Sequence, residues 1–157
     1  MSDLIDLLFE GVPRNSLDSL VERLLSESIL NSVAASESPG LDLGSWRGSA
    51  LEILEGAAPN SGCVSLNVDG VKIGGVRIVN PLIRVLMCDG SFDVFLHFLD
   101  SDLKCESVDV LDELHHASME ISRVADVGHV SCGYDPVSDQ KTRFFFDAEK
   151  GPIRELW

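Results

Sequence analysis

The chain has 157 residues, a length that fits one folded domain. Hydrophobic residues make up 45% and charged residues 24%, and the mean hydropathy of +0.14 excludes a wholly disordered chain. Twelve Lys and Arg stand against 26 Asp and Glu, a formal net charge of −14. That balance argues against generic nucleic-acid binding, which needs cations to displace counterions from phosphate, and against an anionic membrane surface.

No run approaches the roughly 18 apolar residues of a spanning helix. The first ten residues carry Asp3, Asp6 and Glu10 but no Lys or Arg, unlike a secretory leader, so a cytoplasmic protein is expected. Cys63, Cys88, Cys105 and Cys132 form no CxxC and read as reduced thiols.

In chain order, residues 3–10 hold Leu4, Ile5, Leu7, Leu8 and Phe9, and Gly11 and Pro13 stop the run, which reads as a short helix. Leu17, Leu20, Val21, Leu24 and Leu25 form one helical stripe. Asn15 or Ser16 is its expected cap. The stripe drifts after Ser28, and the helix is expected to end near Val33. Residues 36–48 contain Ser-Pro-Gly and Leu-Gly-Ser and read as loop. Ala50–Glu55 has room for one or two helical turns.

From Cys63 the period changes to two. Val64, Leu66 and Val68 alternate with polar residues, and Asp69-Gly70 is a two-residue hairpin signal. Val71–Val79 is then the return strand, with Gly74-Gly75 as a bulge. Asn80-Pro81 and Asp89-Gly90-Ser91 mark turns around strands at Leu82–Cys88 and Phe92–Leu99. Phe92, Val94, Leu96 and Phe98 share one face of the last strand, while Phe95 and Leu99 lie beside Asp93 and His97 on the other. Together these make a four-strand antiparallel meander. Period 3.6 returns from Ser107 to Ala125, with Val110, Leu111, Leu114, Ala117, Ile121, Val124 and Ala125 on one face. Strands at Val130–Tyr134 and Thr142–Phe146 close the chain, and the terminal Trp157 is expected to dock on the body. The expected fold is a single α+β domain in the order α-α-β-β-β-β-α-β-β, its helices packed on an antiparallel sheet.

Charge is unevenly placed. Residues 1–62 carry ten acids against three bases, residues 63–104 five against four, and residues 105–157 eleven against five. The densest stretch is Asp100, Asp102, Glu106, Asp109, Asp112 and Glu113, opposed along the chain only by Lys104. Acids at a helix start also favour its dipole and aid solubility, a plain reading of nearly equal weight. The functional reading is an anionic surface for a basic protein partner.

Chemistry is sparse. No D-x-[DN]-x-[DN]-G loop marks a calcium site. His129-x2-Cys132 and the i, i+4, i+8 set Asp112, His116 and Glu120 have chelating spacings, but solvated and structural roles explain them more simply. No G-x-S-x-G, GxGxxG or GxxxxGK[ST] occurs. Neither catalysis, nor a metal, nor a cofactor is expected. In Phe144-Phe145-Phe146, alternation puts Phe144 and Phe146 on one face and Phe145 on the other. A strand buried on both faces accounts for the cluster, whereas an open face would make Phe145 or Phe144 an interface anchor.

The size, the acidity, the meander and the ending Asp139-x-x-Thr142-Arg143-Phe144-Phe145-Phe146-Asp147…Gly151-Pro152-Ile153 resemble immunity proteins of bacterial polymorphic and contact-dependent toxin systems. The resemblance implies a cytoplasmic inhibitor that binds a toxin domain, often a basic nuclease, at or beside its active site. The element order is also similar to class I type III secretion chaperones, which are acidic homodimers binding a secreted effector, although the long segment before Gly62 departs from them. A small hydrolase or metal-binding enzyme is the remaining, least favoured class. The partner surface is therefore expected at Asp100, Asp102, Glu106, Asp109, Asp112 and Glu113, with Phe145 as its aromatic anchor.

Overall fold

The computed structural model describes residues 3–36, 38, 40–57, 61–106 and 109–157. It is α+β, as expected, but two elements change type. Residues 4–12 are a strand, β1 (Leu4–Val12), not a helix. Ile5, Leu7 and Phe9 are fully buried, with Leu4, Asp6, Leu8 and Glu10 alternating on the other side. An apolar run this short fits either period, and here strand neighbours decide it. Gly11, at φ +69°, sits where the β1 register shifts, and Pro13 is the N-cap of α1 (Arg14–Leu25) with no side-chain cap. The expected capping by Asn15 or Ser16 is not what the structure uses.

Helix α1 ends eight residues before Val33. The drift after Ser28 marks a new element, β2 (Leu30–Ala35), which pairs with β3 (Ser61–Val68). A 3₁₀ turn (Leu43–Ser45) lies within the expected loop, whose Pro39 falls outside the described residues. Ser49 Oγ caps α2 (Ala50–Ala57) by accepting from Glu52 N at 3.0 Å, and Ser49 donates in turn to Asp18 of α1 at 2.7 Å.

The meander holds only in part. Asp69-Gly70 is no hairpin. Asp69 instead accepts from Ile29 N at 2.7 Å, and β3 pairs with β6 (Leu82–Cys88). The tight turn is Gly74-Gly75, between β4 (Gly70–Ile73) and β5 (Val76–Val79), with Gly74 at φ +60°. A Cβ on Gly74 would meet the Ala117 Cβ at 2.6 Å, so glycine is needed for space as well as for φ. Asp89 and Gly90, at φ +50° and +79°, turn β6 into β7 (Ser91–Leu99) as expected. A 3₁₀ turn (Asp100–Asp102) leads to β8 (Leu103–Cys105), then α3 (Val110–Val124), β9 (His129–Tyr134), β10 (Arg143–Phe146) and β11 (Glu149–Lys150). The expected helix start at Ser107 lies outside the described residues.

Among the described residues, the strands form an eight-stranded sheet, β11-β10-β9-β1-β7-β6-β3-β2, and a three-stranded sheet, β4-β5-β8. Thus β1 lies between β7 and β9, both antiparallel to it. One face of the large sheet, including Val64, Leu66, Ile83, Val85, Val94, Leu96, Val130 and Cys132, is wholly buried in the core with the apolar sides of α1 and α3. Val71, Ile73, Val76 and Ile78 of the small sheet join the same core.

Helix α3 is rotated from its expected face. His115, Ser118 and Ser122 are buried, and Val124, its last residue, is exposed. His115 stacks on Phe145 at 4.3 Å between centroids, and its Nε2 donates to the Asp147 carbonyl at 2.6 Å. The register between β9 and β10 slips between Arg143 and Phe145. That irregularity turns both Phe144 and Phe145 inward, at 3% and 1% exposure, where strict alternation would have separated them. Phe145 is therefore a core residue, not an exposed anchor. Trp157 does dock, stacking on Tyr134 at 4.0 Å while keeping much of its surface in solvent.

Candidate functional site

The acidic stretch is divided by the fold. Asp100 and Asp102 sit on the 3₁₀ turn after β7, and the Asp100 carboxylate accepts from Asp3 N at 3.3 Å. Asp109 is the N-cap of α3, accepting from Asp112 N at 3.0 Å. Asp112 is paired with Lys150 at 2.6 Å, and that contact holds its carboxyl below the usual range. Glu113 accepts from Gly75 N at 2.8 Å, which pins the β4–β5 turn to α3. Glu106 and Glu113 share a groove with Lys72, Arg77 and Lys104. Hence six acids opposed by one base along the chain become, in space, acids interleaved with four bases. Asp100, Asp102, Glu106 and Asp109 have no ion-pair partner among the described residues. Asp112 and Glu113 have structural duties.

A second feature escaped the sequence. On the side of the large sheet turned away from the core, Leu82, His97, Asp6 and Gly133 face one another across four adjacent strands, and Arg84, Phe95, Leu8 and Ser131 form the next row. Asp6 and His97 of the first row and all four residues of the second line a concavity of about 400 Å³ with Asp135, Val137 and Arg143. Its floor is polar: His97 Nδ1 lies 2.7 Å from the Asp6 carboxylate, and His97 stacks on Phe95 at 5.2 Å. Burial alone would raise the Asp6 pKa, but hydrogen bonds to His97, Asp135 and the Val137 backbone, with the His97 charge, hold it below the usual value. Asp135 moves the other way, raised by its hydrogen bond with Asp6, by burial and by the Asp6 charge. One signal was legible: alternation already put His97 with Phe95 on the outer face of β7. Asp6 was invisible as its partner while residues 3–10 read as a helix.

The other titratable groups support structure. His129 Nδ1 lies 2.8 Å from the Asp147 carboxylate, which raises the imidazole pKa. Cys132 is fully buried, which pushes its thiol well up, and all four cysteines are free. No group of three or more His, Cys, Asp or Glu able to hold a metal occurs among the described residues, and none of their helices is long and apolar enough to cross a membrane.

The family model for the PABL017 Cdi1I immunity protein matches residues 3–150. The chain belongs to that family of immunity proteins. No curated protein matches it by sequence. Among solved structures, it is similar to a chain in the 1.75 Å crystal structure of the toxic C-terminal tip of CdiA from Pseudomonas aeruginosa in complex with immune protein. The likeness has 25% identity and a TM-score of 0.79, over 98% of this chain and 99% of that one. The resemblance to contact-dependent immunity proteins is thus borne out, and the family match decides against the secretion-chaperone alternative.

Proposed function

We propose that this immunity protein neutralises a cognate contact-dependent toxin by binding its C-terminal domain and occluding the active site, inside the cell and without catalysis of its own. The observation that carries the reading is the family match over residues 3–150, joined to likeness over nearly the whole chain to a structure that contains a toxin tip and its immune protein. The chain acts in this reading as one α+β unit.

We place the toxin contact on the unpaired acids Asp100, Asp102, Glu106 and Asp109, where carboxylates meet Lys and Arg of a basic toxin domain. Such charge complementarity speeds encounter and rejects wrong partners. Asp112 and Glu113 bear on this surface only indirectly. Reversing them would break the Lys150 pair and the Gly75 hydrogen bond as well as any contact with a toxin.

The test is co-expression with the C-terminal domain of the cognate contact-dependent toxin. The unaltered chain restores growth, and Asp102→Lys with Glu106→Lys slows association and flattens its salt dependence while leaving the melting temperature in place. Growth arrest despite the unaltered chain would remove the toxin reading. Unchanged association of the double variant would remove the acidic surface.

A further inference from the structure

The three-stranded sheet carries an arrangement that neither its packing nor the overall charge calls for. Lys72 of β4 faces Arg77 of β5, and Arg77 faces Lys104 of β8. All three are exposed and line an open groove of about 800 Å³. Like charges directly opposite one another on a sheet repel. Twelve bases serve the entire chain, and three of them stand in this row.

The local acids do not cancel it. Glu27 reaches Lys72 only at 3.9 Å, with both side chains largely exposed. Glu113 is engaged by Gly75 N, and Lys104 Nζ donates to the Ser101 carbonyl. Arg77 has no ion-pair partner among the described residues, and its guanidinium lies over the bare backbone of Gly70, where a Cβ would come within 2.8 Å of Nη2. The inward residues of β4 and β5, Val71, Ile73, Val76 and Ile78, are wholly buried, so the fold fixes these two strands and leaves their outer positions free to vary.

We propose that the row Lys72–Arg77–Lys104 is a second, basic docking strip for the toxin domain, pairing with carboxylates on its surface. The proposal rests on the toxin reading above and deepens it. Charge complementarity names the occupant: three aligned cations select a strip of Asp and Glu, and Glu106 at the groove's edge asks for one base beside them. Acid on one flank and base on the other fixes the orientation of a bound domain and excludes toxins with a different charge order.

The experiment uses the full chain and the purified C-terminal domain of the cognate contact-dependent toxin. Lys72→Gln, Arg77→Gln and Lys104→Gln are combined, since neutral residues remove the repulsion and keep the fold, and a triple Glu variant is made in parallel. Association is followed at low and high salt, with a thermal melt for each variant. The Gln variant should melt no lower than the unaltered chain and associate roughly tenfold more slowly at low salt, within the range that steering supplies. Lys substitutions of toxin Asp or Glu should restore binding to the Glu variant. If the unaltered chain binds the toxin and the Gln variant binds equally well, the strip is only a solvated surface and the inference falls alone. If the unaltered chain does not bind, the toxin reading falls and takes the strip with it. Tight, row-dependent binding of a fluorescent RNA oligonucleotide with no effect on the toxin would reassign the strip to phosphates.

Discussion

His97 and Asp6 are 91 positions apart, yet their side chains meet at 2.7 Å because β1 and β7 pair antiparallel with these two residues directly opposite. Both are largely buried, Asp6 at 3% exposure. His97 Nε2 is buried with no hydrogen-bond partner among the described residues, so Asp6 is its one anchor. Removing one member of such a pair leaves the other desolvated and unpaired.

Asp6→Ala should therefore destabilise the chain by about 2–3 kcal/mol at neutral pH, read by urea denaturation. The Asp6 carboxyl titrates below its ordinary value of 3.8 in the folded state. A depressed acid contributes stability that is present above the unfolded pKa and is lost as pH falls through the folded one. The gap between Asp6→Asn and the unaltered chain should accordingly narrow below about pH 4. A gap that stays constant to pH 3 would mean that the contact is steric, not ionic.

Asp135 predicts the opposite sign. Its folded pKa is raised, chiefly by Asp6, so the charged form is disfavoured in the native state. Stability from this group declines as pH rises from the ordinary value of 3.8 through the raised one. Asp135→Asn should raise the melting temperature at pH 7 by roughly 1–3 °C and do nothing near pH 3. Solvent screens this largely exposed carboxylate, so a large gain would point to some other cause.

Phe145 was legible both as core in a strand buried on two faces and as an anchor on an open face, and the structure takes the first. Alternation gave it the face opposite Phe144, and only the register slip opposite Gly133 and Cys132 turns both inward. Phe145→Ala should cost about 3–5 kcal/mol, as for a buried aromatic, with toxin binding lost only where folding is lost. A variant that melts normally yet binds weakly would restore Phe145 as an anchor.

These residues also mark how far sequence reached. The α+β class, α3, the β6–β7 hairpin and the closing strands were local, written in period and turn chemistry. What failed was non-local. Leu4 to Phe9 fits a helix until β7 and β9 are known to flank it, and Asp69-Gly70 resembles a hairpin until β3 is found against β6. The site followed the same rule. The acids were visible, but the bases interleaved with them arrive from β4, β5 and β11, and the basic row exists only once β5 pairs on both sides.

The last prediction concerns Asp147, at φ +48° after β10. Its carboxylate accepts from Val130 N at 2.8 Å and meets His129 Nδ1 at 2.8 Å, while its carbonyl accepts from His115. The fold thus uses one residue to tie β9 and α3 together. Hydrogen bonding to Asp147 raises the His129 pKa above 6.5. A raised base contributes stability that is complete below the unfolded pKa and is lost as pH rises through the folded one. Thermal melts should therefore show Asp147→Asn most harmful near pH 5.5 and less so near pH 8.5. The Val130 contact is independent of pH, and an Asn oxygen still accepts it where an Ala cannot. Asp147→Ala should accordingly stay destabilised at both pH values by about 1–2 kcal/mol. Identical pH profiles for the Asn variant and the unaltered chain would exclude any ionic link between His129 and Asp147.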